Sequence, residues 1–114
     1  METNNIRRAF EIRVHTDNHI HGSEDFRNEI ESALHGKLSK FEKYITTADV
    51  YFTDMNSQKG GADDKKCSIE LRLAGKRPCA VSAKGETLRS VFRLSTKKLE
   101  RVVRDTISQF KNHQ

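Results

Sequence analysis

With 114 residues, 34% of them hydrophobic, the chain is long enough for one core and too short to divide its apolar area between two. Charged residues make up 32%, Lys and Arg outnumber Asp and Glu by 21 to 16, and the formal net charge is +5; that balance argues for a thin layer of helices on one sheet and against a thick, all-buried architecture. No apolar run approaches the ~18 residues of a membrane span, Met1 to Phe10 lacks the apolar stretch of a secretory signal, and two cysteines are too few for a disulfide framework, so the expected location is the cytoplasm.

The first element is a strand. Phe10, Ile12 and Val14 alternate with Glu11, Arg13 and His15, the period of a half-buried strand. Thr16 to Gly22 is polar and ends it. Ser23 suits a helix N-cap, with Glu24 and Asp25 in the first turn, where acids favour the helix dipole. Phe26, Ile30, Ala33, Leu34, Leu38 and Phe41 then recur at helical spacing, which predicts a helix from about Glu24 to Tyr44. Its acids come early and Lys37, Lys40 and Lys43 come late. That order stabilises a helix by itself, so a structural and a binding reading of these lysines stand side by side.

Ala48, Val50 and Phe52 alternate with Asp49, Tyr51 and Thr53 in a second strand. Asn56 to Lys66 is polar, contains glycine and has no periodicity, as expected of a loop without a binding role. Cys67, Ile69, Leu71 and Leu73 alternate with Ser68, Glu70 and Arg72 in a third strand, and Pro78 to Lys84 forms a fourth with Cys79, Val81 and Ala83 on one face. Ala74, Gly75 and Lys76 fit a hairpin loop. The register that keeps both apolar faces together sets Leu71 opposite Cys79, Ile69 opposite Val81 and Cys67 opposite Ala83. It separates the two cysteines, which then act as small buried hydrophobes. Pro78 lacks an amide hydrogen, so the fourth strand is an edge there or begins there.

From Glu86 helical spacing returns, with Leu88, Val91, Phe92, Ser95, Leu99, Val102, Thr106 and Phe110 along one stripe. Arg89, Arg93, Lys97, Arg101 and Arg104 follow one another at three- and four-residue steps on the opposite side. Like charges so placed repel and cost helix stability, which favours a binding role over a purely solvated face. The placement of charge along the chain agrees. Residues 1–83 hold 13 Lys/Arg and 13 Asp/Glu, which cancel, so the excess lies in the last segment, where 8 basic residues meet only Glu86, Glu100 and Asp105. Localised positive charge attracts polyanions and points to nucleic acid. The order strand, helix, three strands, helix predicts an α+β two-layer sandwich, a four-stranded sheet with two helices packed on one face, as a single domain over 1–114 with an ordered core at about 8–111.

Three stretches carry a family resemblance: Lys37-Leu38-Ser39-Lys40-Phe41-Glu42-Lys43-Tyr44 at the end of the first helix, Ser82-Ala83-Lys84-Gly85-Glu86 at the strand-to-helix junction, and Lys98-Leu99-Glu100-Arg101 in the second helix. In this order they resemble the ribosome hibernation-promoting factor and ribosome-associated inhibitor family, also called sigma-factor modulation proteins, from about Phe10 to Lys111. Two departures stand out. Thr87, Leu88 and Arg89 replace the family's Asp, apolar, Tyr pattern, and Asp17 to Gly22 differs from the usual loop. The resemblance implies the short form, without built-in ribosome dimerisation. It implies a monomeric partner of the small ribosomal subunit and its rRNA, seated in the decoding region, that silences translation under stress or in stationary phase. It assigns rRNA contacts to Lys37, Lys40, Lys43, Lys84, Lys98 and Arg101, to which helical geometry adds Arg89, Arg93, Lys97 and Arg104.

Other classes have weaker signals. A double-stranded RNA-binding module shares a helix, three strands and a helix, but its charge should gather at the start of the last helix. His15, His19 and His21 with Asp17 have a spacing that could hold a metal, yet such a cluster is more often a polar loop. Paired carboxylates in an apolar setting, a nucleophile elbow and a phosphate loop are all missing from the sequence, so no enzyme, no cofactor and no small-molecule substrate is expected.

Overall fold

The computed structural model describes residues 10–17, 20, 22–55 and 65–112, without the side chains of residues 110–112. The expected start of order near residue 8, His19, His21, most of the polar loop and the side chains of Phe110 and Lys111 lie outside the described residues. The elements run β1 (Glu11–Thr16), α1 (Glu24–Leu38), a 3-10 helix (Ser39–Tyr44), β2 (Ile45–Asp54), β3 (Lys65–Leu73), β4 (Cys79–Gly85) and α2 (Leu88–Asn112).

The four strands form one mixed sheet in the order β1-β2-β3-β4. β1 pairs parallel to β2, and the remaining pairs are antiparallel. The expected hairpin register holds, with Leu71 opposite Cys79, Ile69 opposite Val81 and Cys67 opposite Ala83. Gly75 in the loop has φ +74°, a left-handed conformation that costs glycine nothing. Pro78 stands just before β4, which is an edge strand.

Phe52, 1% exposed, shows why both helices lie on one face: its ring meets Phe26 of α1 at 5.2 Å and Phe92 of α2 at 6.3 Å. Around it one cluster gathers the inward residues of all four strands with Ile30, Leu34 and Leu38 of α1 and Val91, Leu99, Val103 and Ile107 of α2. Burying side chains of this size contributes about 1.5–3 kcal/mol each. Ser95, fully buried, bonds to the Cys67 carbonyl at 3.1 Å and lets α2 sit close to β3. Where β4 passes into α2, a Cβ on Gly85 would lie 3.0 Å from the Val91 side chain, so glycine suits the junction.

Among the differences from the sequence expectation, two are element boundaries and one is the buried stripe of α2. The first helix is α-helical only to Leu38 and continues as a 3-10 helix to Tyr44. Leu38, Phe41 and Tyr44 are three apart, and a 3-10 helix of three residues per turn stacks all three toward the core. β3 begins at Lys65, two residues inside the expected loop, because Lys65 and Lys66 continue the ladder opposite Asp54 and Thr53. On α2 the buried stripe includes Thr96, Val103 and Ile107, while Leu88, Val102 and Thr106 are only half-buried. The buried positions Val91, Ser95, Leu99, Val103 and Ile107 are four apart, a step that overshoots the ~3.6-residue turn, so the stripe drifts around the helix axis.

Candidate nucleic-acid interface

α2 begins at a local cap: the Thr87 hydroxyl accepts from the Ser90 amide at 3.1 Å. From there Arg89, Arg93, Lys97, Arg101 and Arg104 are all exposed. They fan along about 22 Å of helix at 1.5 Å per residue. Among the described residues, Arg93, Lys97, Arg101 and Arg104 have no ion-pair partner. Arg89 differs, because its guanidinium is bidentate on Glu29 of α1, with Nη2 to Oε1 at 3.0 Å. The pair is exposed on both sides and ties the two helices together at a gain of no more than about 1 kcal/mol.

The cationic ridge of α2 stands between two grooves. One, of about 360 Å³, separates α2 from α1 and brings Lys37 together with Arg89, Arg93 and Lys97. The other, of about 470 Å³, lies between α2 and the edge strand β4 and brings Lys98 and Arg101 beside Lys97 and the exposed Leu94. Lys98 donates to the Ser82 carbonyl at 2.7 Å and so blunts the open edge of β4. Lys97 lines both grooves. Seven of the ten residues singled out from sequence, Lys37, Arg89, Arg93, Lys97, Lys98, Arg101 and Arg104, therefore share α2 or a groove beside it.

The other three stand apart. Lys40 and Lys43 lie on the 3-10 helix, with their ammonium groups 5.4 Å and 5.3 Å from the rings of Phe41 and Tyr44. Lys84 is on the outward row of β4, on the sheet face turned away from the helices, opposite Lys66.

That outward face carries polar structure that sequence reasoning missed. Asp49, 5% exposed, accepts from Arg13 Nε at 2.8 Å and Nη2 at 3.0 Å, and its Oδ1 lies 2.9 Å from His15 Nε2. The Arg13 bond holds the carboxyl below the usual carboxylate range against the opposing effect of burial, with His15 lowering it further. The same bond raises Arg13. His15 also stacks on Tyr51 with ring centroids 4.6 Å apart. The alternation of β1 and β2 marks all four as outward, but only the parallel register makes them neighbours. Asp17, the other member of the possible metal group, accepts from the Asp54 amide at 2.9 Å. Among the described residues no group of three or more His, Cys, Asp or Glu is placed to hold a metal. Cys67 and Cys79 are buried free thiols, and burial pushes Cys67 up to about 11. No helix of the described residues is long and apolar enough to cross a membrane.

These features define a class: small α+β proteins that present a cationic helix above a four-stranded sheet. Residues 10–110 match the family described as Sigma 54 modulation protein / S30EA ribosomal protein, and the chain belongs to that family of non-enzymatic, ribosome-associated hibernation factors. Among solved structures it is similar to a ribosomal subunit interface protein from Coxiella burnetii, at TM-score 0.69 and 18% identity over 86% of this chain and 98% of the other. It is also similar to the N-terminal domain of Protein Y from Thermus thermophilus, at TM-score 0.62 and 16% identity over 82% and 94%. At these identities the likeness speaks for the fold. No curated protein matches the chain significantly by sequence.

Proposed function

We propose that this protein is a cytoplasmic, monomeric translation inhibitor that binds the decoding region of the small ribosomal subunit through its cationic helix face and silences the ribosome under stress or in stationary phase. The observation that carries this reading is the row Arg93, Lys97, Arg101 and Arg104, exposed, of one sign and without acidic partners among the described residues. A rigid row of this kind suits the phosphates of folded RNA, which are met by shape and charge rather than by base sequence. Lys37 widens the row across one groove, and Lys98 lies in the other. Lys40, Lys43 and Lys84 reach the same RNA only from separate surfaces, as outlying contacts.

The test is sedimentation of tagged protein in a stationary-phase lysate. Co-migration with small subunits and whole ribosomes is expected, and purified small subunits should capture the protein while large subunits do not. Sedimentation with large subunits alone, or only at the top of the gradient, would overturn the reading.

A further inference from the structure

We propose that the outward face of the sheet holds one unpaired RNA base in a slot beside Tyr51. This rests on the ribosomal reading above and adds a second contact surface to it. Pairing sets His15, Tyr51, Ser68 and Ser82 in one row across all four strands. The His15 and Tyr51 rings are 13° from parallel with centroids 4.6 Å apart. Coplanar rings cannot approach so closely, so the two stand upright, face to face, near the ~4.8 Å spacing of neighbouring strands. One face of Tyr51 is covered by His15. The other is turned toward β3, where the next residue of the row is Ser68, followed by Ser82 on β4. Two short side chains leave a floor where a third ring would stand, and Tyr51 remains 40% exposed.

The surroundings specify the occupant. On one side of the slot Lys66 and Lys84 face each other across β3 and β4; on the other side lies Glu70. A planar ring with an anion on the lysine side matches this polarity, and a nucleotide has that form. Serine hydroxyls can both donate to and accept from a base edge. Aromatic stacking with flanking cations is the ordinary means of binding single-stranded nucleic acid. The wall is pre-set, because Asp49 fixes His15 and His15 fixes Tyr51.

The chain has two tyrosines and no tryptophan, so a Tyr44→Phe protein reports Tyr51 alone by its fluorescence. Titration with hexaadenylate at low salt should quench that emission. Adding Ser68→Leu, which fills the floor, should weaken the binding roughly tenfold with the melting temperature retained. An abasic oligomer with the same number of phosphates, or polyglutamate, should compete poorly. The variant with Arg93, Lys97, Arg101 and Arg104 changed to Gln should still be quenched, because the slot is on the opposite face of the sheet. Its response separates failure of the slot from failure of the helix reading. Absence of quenching, quenching unaltered by Ser68→Leu, or equal competition by the abasic oligomer or polyglutamate would overturn the proposal.

Discussion

Asp49 is a carboxylate on a strand, almost fully buried, with its charge answered by Arg13 and its Oδ1 2.9 Å from His15 Nε2. Its pKa is lowered in the folded chain, first by the Arg13 bond. A group of this sign contributes stability above its unfolded pKa of about 3.9, and the contribution is lost as pH falls through the folded value. Urea denaturation should therefore show Asp49→Asn less stable than the parent at pH 7, with the two curves converging as pH drops below about 4. A gap that is the same at pH 7 and pH 3 would mean that the carboxylate charge contributes nothing. The substitution should also loosen the His15–Tyr51 stack, since the amide cannot hold Arg13 and the ring as an anion does.

α2 combines two faces with opposite demands. Replacing Arg93, Lys97, Arg101 and Arg104 by Gln should leave the buried stripe intact and relieve repulsion by a few tenths of a kcal/mol per pair. The melting temperature should hold or rise slightly, while ribosome co-sedimentation falls by several kcal/mol as phosphate contacts vanish together. A lower melting temperature with proportional loss of binding would make these side chains part of the packing instead. The existence of α2 and of its cationic side was legible in the sequence, because an apolar stripe at helical spacing leaves the opposite side defined. The β3–β4 register was legible for the same kind of reason: Cys67, Ile69 and Leu71 can share a face with Cys79, Val81 and Ala83 in few ways. The place of β1 was not. Alternation of Ile12 and Val14 tells which way they face and says nothing of which strand lies alongside, so the cluster of Arg13, His15, Asp49 and Tyr51 stayed hidden. The change of helix type at Ser39 was hidden too, since a three-residue spacing suits both kinds of helix. The pairing of Arg89 with Glu29 is a contact over 60 residues, beyond any local pattern.

For the whole molecule, the excess of positive charge lies in residues 84–114, most of it on α2. Each phosphate met by a cation releases counterions, so affinity for the ribosome should fall steeply with salt. With about five such contacts, a fourfold rise in salt should weaken binding roughly a hundredfold or more. Binding measured at a series of salt concentrations checks this, and the helix variant should show a shallower slope. A flat response in the parent would sink the phosphate-tracking account.

The parallel seating of β1 at the sheet edge has a kinetic consequence. β2, β3 and β4 follow one another and pair antiparallel, with α2 packed on β3 and β4, whereas β1 reaches β2 only after α1 has crossed the sheet. Contacts that close long loops form late and open first. Amide exchange should accordingly be fastest, among the strands, in β1, and α1 should exchange ahead of α2; equal protection across the sheet would contradict this. The groove that sets Lys37 beside Arg93 and Lys97 is complete only when α1 is docked. RNA that engages both sides of that groove would hold the last-formed part of the fold in place, so exchange in β1 and α1 should slow on the ribosome more than exchange in the β3–β4 hairpin.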